Sequence, residues 1–373
     1  MDVTTRMHAK KDFALRGALL CVLAAAALLI ALLPAPPASA THLTNSAASP
    51  SVPWGFNEDW GWGRKEFWPS VADRQLRFAG QVMPDAQSAN RFHVQWATVE
   101  QRRGHYRWAK TDRVYDSMRR YSAQPVMVLY NAPVWARDPR AACHGGDDCA
   151  FPPRVRHLDA WRRFVRRAVE RYPDVRAIEI WNEPNLSRFW APRPDPQRYA
   201  QLLAAADDAI DSTGTSAPVI TGGLIPAMGR RNMDAPEFLW RVYNIAGAES
   251  FDGIGTHPYP HEAPFVENMT GWLDALRSVR DANGDAQTPL WITEIGVSTH
   301  PSTGVTPEQQ GDILVQMYRS VLGHDVRSFI IHRFQVGAEG GYWNGTALVG
   351  NGLVAKPAFC ELGAAIGSPC VDY

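Results

Sequence analysis

Short runs of apolar residues, unbroken rather than alternating, recur along the chain, and longer stretches with apolar positions three and four residues apart separate them. An unbroken run of roughly four to eight such residues suits a strand buried on both faces, and strands of that kind belong to parallel sheets. The runs predict strands over Val52–Asn57, Arg91–Trp96, Pro125–Tyr130, Ala177–Trp181, Pro218–Thr221, Gly253–His257, Leu290–Glu294 and Ser328–Arg333. The three-and-four spacing predicts helices between them. Asp159–Tyr172 carries Trp161, Phe164, Val165 and Ala168 on one face and is stopped by Pro173. Pro196–Ser212, Pro236–Ala246, Val266–Arg280 and Thr306–Leu322 follow the same pattern. Thr306-Pro307-Glu308 opens the last of these with a capping hydroxyl, a proline in the first turn and an acid near the positive end of the helix dipole.

Strands alternating with helices build either a closed barrel or an open doubly wound sheet. No Gly-x-Gly-x-x-Gly follows the first strand, so the dinucleotide-binding sheet has no support. The expected architecture is α/β, a (β/α)8 TIM barrel forming a single catalytic domain over residues 52–373. Such a barrel places its active site at the C-terminal ends of the strands. Polar and aromatic residues do gather there in the sequence: Asn57, Trp96, Tyr130, Asn182, Glu183, His257, Glu294 and Arg333.

The N-terminus reads differently. Arg6, Lys10, Lys11 and Arg16 precede the uncharged apolar run Gly17–Leu33, and a proline-rich break leads to Ala38-Ser39-Ala40. That layout predicts a secretion signal peptide over residues 1–40, with release after Ala40 and a flexible linker over 41–51. The competing reading is an uncleaved anchor, since the run approaches the roughly 17–25 residues of a spanning helix. Only in that case would the chain touch a membrane. Cys21 follows Leu20, not a small residue, which disfavours a lipid anchor. In an oxidising compartment the remaining Cys143, Cys149, Cys360 and Cys370 are expected as disulfides, and proximity favours Cys143–Cys149 and Cys360–Cys370. No histidine cluster converges with them to suggest zinc, and no metal or cofactor is expected. The 38 basic and 38 acidic side chains cancel, and the basic ones are scattered, so neither nucleic acid nor an anionic membrane is expected as a partner; the chain is expected to act as a monomer on a carbohydrate substrate.

That substrate expectation rests on two carboxylates. Glu183 ends the fourth predicted strand and Glu294 the seventh, on opposite sides of an eight-stranded ring. Glycoside hydrolysis needs such a pair, one carboxyl to protonate the leaving oxygen and one to attack the sugar carbon, about 5–5.5 Å apart when configuration is retained. Ile178-Glu179-Ile180-Trp181-Asn182-Glu183-Pro184-Asn185 resembles the acid/base motif of clan A retaining glycoside hydrolases, and Trp291-Ile292-Thr293-Glu294-Ile295-Gly296 resembles their nucleophile motif. The Trp-Asn-Glu-Pro-Asn form is most similar to glycoside hydrolase family 39, which holds β-xylosidases, α-L-iduronidases and exopolysaccharide endoglycosidases. Arg91, the segment Trp96 to Asp112, Thr256-His257-Pro258-Tyr259 and Lys356-Pro357-Ala358-Phe359 extend the resemblance over most of the chain beyond the signal. It implies hydrolysis of O-glycosidic bonds by double displacement, with Glu183 as acid/base and Glu294 as nucleophile. It further implies Asn182 on the sugar 2-hydroxyl, Arg91 and Tyr259 holding Glu294 ionised, and His257 lining the pocket.

The chain departs from the clan at its eighth strand, where Ile331-His332-Arg333-Phe334-Gln335 stands in place of a tryptophan-bearing end; Trp343 in the following loop is a candidate replacement. Of the 14 tryptophans, Trp54, Trp60, Trp62, Trp135, Trp190 and Trp343 fall near strand tops or their loops, with Trp135 and Trp343 favoured as substrate contacts. Trp161 and Trp240 are expected in the core. The insert Cys143–Pro153 is placed to wall one end of a cleft. Two other readings stay open at this stage: a barrel that binds carbohydrate without turnover, and a membrane-anchored endoglycosidase that trims exopolysaccharide.

Overall fold

Eight parallel strands pair in the order β5-β4-β3-β2-β1-β8-β7-β6 in the computed structural model. They are β1 (Trp54–Asn57), β2 (Asn90–Gln95), β3 (Pro125–Tyr130), β4 (Ala177–Asn182), β5 (Val219–Gly223), β6 (Ile254–Thr256), β7 (Leu290–Ile295) and β8 (Val326–His332). Backbone hydrogen bonds from Thr221 N to Gly253 O and from Leu224 N to Gly255 O, both 3.0 Å, join β5 to β6 and close the ring. The structure describes residues 52–58, 69–82, 88–143, 149–227, 229–337, 341–368 and 370. The expected signal and linker, with Trp60 and Trp62, lie outside the described residues. Among the described residues no helix is long and apolar enough to cross a membrane.

One helix of eight residues or more follows each strand. These are α1 (Pro69–Ala79), α2 (Ala109–Arg120), α3 (Leu158–Arg171), α4 (Pro196–Asp211), α5 (Ala235–Ala246), α6 (Phe265–Ala282), α7 (Pro307–Val321) and α8 (Pro357–Ala365). All eight strands expected from sequence are present, with ends shifted by one or two residues. The α1 and α2 helices were not legible as helices from periodicity. Local chemistry explains several starts. Thr306 and Gln309 form a reciprocal capping box at α7, and the Asp195 side chain accepts from Arg198 N at 3.0 Å ahead of Pro196 at α4.

The α3 face expected from sequence is the buried one, and Trp161, fully buried, donates its indole N–H to Leu202 O of α4 at 3.1 Å. Trp240 corrects the sequence reading. It is 53% exposed, because α5 buries Phe238, Leu239, Val242 and Tyr243 and Trp240 falls off that stripe. Trp54 and Trp190, by contrast, are buried. Both expected disulfides, Cys143–Cys149 and Cys360–Cys370, are formed, with Cα–Cα separations of 5.5 and 5.1 Å.

Candidate active site

The barrel mouth is organised around a buried arginine. Arg91 rises from β2 with no exposed surface and faces Glu179 on β4, which is equally buried. The guanidinium Nε and Nη2 each donate to Glu179 at 2.8 Å, the planar two-pronged geometry that suits arginine to a carboxylate. Nη2 also donates to Asn182 Oδ1 at 2.8 Å, and Nη1 donates to Glu294 Oε1. Gly223 N at 2.8 Å and Thr293 Oγ1 at 3.1 Å supply the remaining bonds to Glu179. A charge taken out of water in this way is tolerable because both carboxylate oxygens are hydrogen-bonded and the guanidinium balances the charge.

Glu294, at the end of β7, is held from three sides. Besides Arg91, the Tyr259 hydroxyl donates to Oε2 at 2.8 Å and Asn57 Nδ2 donates to Oε1 at 3.0 Å. Burial favours its neutral form, but the charges of His257, Arg91 and His332 and the Tyr259 hydrogen bond outweigh burial and lower its pKa from 4.5 to about 2. Glu294 is therefore an anion at any working pH. Burial, and then the Glu294 charge, push the Tyr259 hydroxyl far up, so Tyr259 stays a donor.

Glu183 has a different setting. It lies just past β4, in the left-handed region at φ 42°, and Trp181 two residues earlier is there too at φ 81°. Non-glycine residues held so cost on the order of 1–3 kcal/mol each, and the surroundings must over-determine them. Here the Trp181 indole donates to Phe189 O at 2.6 Å, and Asn185 Nδ2 reaches Ile225 O at 2.8 Å and Met233 O at 3.0 Å. These bonds pin the loop that aims Glu183 inward.

Glu183 Oε1 lies 2.9 Å from His257 Nδ1, and His257 Nε2 lies 3.1 Å from Thr293 Oγ1. The Thr293 hydroxyl spends its hydrogen on Glu179, so it accepts from His257 Nε2–H; this tautomer is assigned from partners. One proton then sits between Nδ1 and Glu183, on either side of the contact. The ring has room because β5 ends in Gly222-Gly223: a Cβ on Gly223 would stand 2.0 Å from His257 Nε2. One ligand atom each from Glu183, His257 and Glu294 lie within 4.8 Å of one another, so the two carboxylates approach across the mouth. Among the described residues this is also the one group of three such side chains close enough to hold a metal ion. The Arg91 guanidinium already neutralises Glu294 there and competes with any cation.

Of the residues singled out from sequence, Glu183, Glu294, Asn182, Arg91, His257 and Tyr259 converge. Trp343 stands at the rim, 42% exposed, with its ring 5.1 Å from that of Tyr259 and 5.5 Å from that of His332. Trp135 stands elsewhere, its indole N–H on Glu100 O at 2.9 Å and its ring edge-on to Trp96 and His157.

Two site residues were missed. Glu179 was visible as a carboxylate in an otherwise apolar strand, which demands a buried partner. His93 of β2 donates from Nε2 to Asn57 Oδ1 at 2.6 Å, one bond back from Glu294. Burial, then Arg91, hold His93 neutral with its pKa at about 3, and its buried Nδ1 has no hydrogen-bond partner among the described residues. Nothing in the local sequence distinguished it from a core histidine.

No protein-family model and no curated protein matches the chain. Solved structures do. A family 39 glycoside hydrolase from the gut symbiont Bacteroides cellulosilyticus WH2 superposes with a TM-score of 0.62 at 20% identity, over 86% of this chain and 64% of that one. A family 39 β-xylosidase from Caulobacter crescentus gives 0.64 at 22% identity, over 85% and 72%. The family 39 enzyme from Xanthomonas axonopodis pv. citri gives 0.62 at 20% identity, over 87% and 69%. The chain thus spans about two thirds of the length of these structures, and at such identities the likeness is one of fold.

Proposed function

We propose that this chain is a retaining glycoside hydrolase, with Glu294 as nucleophile and Glu183 as acid/base. The observation that carries the reading is the asymmetry of the facing carboxylates. They lie close enough for double displacement, one locked as an anion by Arg91, Tyr259 and Asn57, the other sharing a proton with His257. In the first step Glu294 attacks the anomeric carbon and the glycosidic C–O bond breaks, while Glu183 gives its proton to the leaving oxygen. In the second step water attacks the glycosyl-enzyme ester, Glu183 takes the water's proton and the Glu294 carboxylate is released.

Asn182, oriented by Arg91, is the proposed partner of the sugar 2-hydroxyl. Trp343 offers an open aromatic face where the clan has its strand-end tryptophan. The fold shared with family 39 enzymes supports the same chemistry, and the two disulfides, with the N-terminal sequence, support export. The test is Glu183→Gln and Glu294→Gln assayed on a panel of aryl glycosides. Each is expected to lose about 10²–10⁴-fold or more in turnover while still folding cooperatively, Glu183→Gln at the parental melting temperature and Glu294→Gln at a lower one because it gives up the ion pair with Arg91. Parental turnover in either variant rejects the assignment.

A further inference from the structure

Beside the carboxylate pair, on the same face of the barrel, lies a second cavity of about 1450 Å³. The loops after β3, β4 and β5 build it, and neither Glu183 nor Glu294 lines it. Its volume exceeds the roughly 300–1,000 Å³ of a pocket for one small ligand, so it suits an oligomer. Eight arginines and two aspartates line it, and no lysine does. The chain as a whole carries equal numbers of basic and acidic residues, so the excess of arginine in this lining is set by the fold and not by composition.

Four of the arginines are occupied: Arg140 pairs with Asp138, Arg241 with Glu237, Arg198 donates to Pro153 O, and Arg156 donates to His157 Nε2. Arg154, Arg193, Arg230 and Arg231 form no ion pair among the described residues and are at least partly exposed. Planar guanidinium groups with unspent donors match carboxylates and sulfates.

The cleft is tied to the acid/base loop. Met233 N donates to Asn185 O at 3.0 Å, and Ser187 N donates to Asn232 Oδ1 at 3.0 Å. Asn185 is two residues past Glu183, and Glu294 lies across the barrel on β7. A group that protonates the leaving oxygen stands on the leaving-group side of the bond, so the cleft extends from that side. Single-stranded nucleic acid would also need open aromatic faces for its bases. The one aromatic residue in the lining, Trp190, is 2% exposed.

We propose that this cleft binds the leaving-group portion of an anionic polysaccharide through Arg154, Arg193, Arg230 and Arg231, so that the substrate is an acidic glycan, carboxylated or sulfated. The substrate half rests on the glycosidase reading above; the binding half does not.

The experiment uses the full chain carrying Glu183→Gln, so that binding is read without hydrolysis, with calorimetry at low and physiological salt. The probes are polygalacturonate oligomers, dextran sulfate, neutral xylan oligomers and single-stranded DNA. At least one acidic glycan is expected to bind about tenfold or more tightly than xylan, to weaken as salt rises, and to be preferred over DNA. The uronate and sulfate arms identify the anion. Arg230→Ala/Arg231→Ala is expected to lower that affinity about tenfold, and Arg230→Lys/Arg231→Lys to restore part of it, both with parental melting temperatures. No binding of either acidic glycan, unchanged affinity in the alanine variant, or equal binding of DNA overturns the proposal. Parental hydrolysis of neutral glycans without polyanion binding would sink this inference and leave the glycosidase reading standing. Polyanion binding at the arginines with no glycan cleaved would do the reverse.

Discussion

Replacing Arg91 by methionine tests the buried network that organises the site. Arg91 is fully buried and serves three acceptors: Glu179 through two bonds, Asn182 through one, and Glu294. Methionine fills much of the volume and makes none of these bonds. It leaves Glu179 a buried carboxylate with only Gly223 N and Thr293 Oγ1. Breaking a buried ion pair by deleting one partner costs about 3–5 kcal/mol, a large part of the roughly 5–15 kcal/mol that keeps a domain folded. Arg91→Met/Glu179→Met removes that pair's two charges together but still leaves Glu294 without its cation, so part of the lost stability is expected to return. Activity is not expected to return, because Glu294 still lacks its cation. Urea denaturation followed by tryptophan fluorescence gives the stabilities, and turnover is measured on the same samples. A single variant within about 1 kcal/mol of the parent, or a double variant no more stable than the single, would refute the network as described.

Tyr259→Phe removes a hydrogen bond that helps hold Glu294 at a pKa of about 2 instead of 4.5. Because the folded value is depressed, the stability Glu294 contributes is complete above about pH 4.5 and is lost as pH falls towards about 2. The variant's Glu294 pKa rises, so the acid limb of kcat/KM and the acid edge of stability are both expected to move to higher pH; limbs that coincide with the parent's contradict the role. Gly223→Ala places a methyl group where the His257 ring lies, 2.0 Å from Nε2. Turnover is expected to fall while the free energy of unfolding drops by an amount typical of overpacking, about 1–3 kcal/mol, and parental kinetics would show that His257 needs no fixed position.

The barrel was legible because its strands are buried on both faces: a run such as Pro125–Tyr130 is apolar without interruption, Leu290–Ile292 opens another, and the helices between them carry one apolar stripe. Helix α2 escaped because Ala109–Arg120 is rich in charge and marks its buried face with only Val114, Tyr115 and Met118 among small polar residues. Glu183 and Glu294 could be read since their motifs sit at strand ends. His93 could not, since its function depends on Asn57 and Glu294, which lie far off in sequence. The arginine cleft was hidden for a related reason. Its residues come from three loops and the helices that follow two of them, so charge counted along the chain averages to zero while the fold gathers it. Trp240 failed as a core residue because one apolar side chain does not reveal on which side of a helix it falls.

The central claim is that a covalent bond forms to Glu294. The direct measurement is mass spectrometry of the protein after incubation with a 2-deoxy-2-fluoro glycoside carrying a good leaving group, chosen from whichever sugar the wild-type chain turns over. Fluorine destabilises the oxocarbenium-like transition states of both steps, and the activated leaving group lets the glycosyl-enzyme accumulate. One glycosyl group is expected per chain, on the peptide containing Glu294, and none in Glu294→Gln. Label on any other residue, or turnover of the parent sugar with inversion and no adduct, would contradict it.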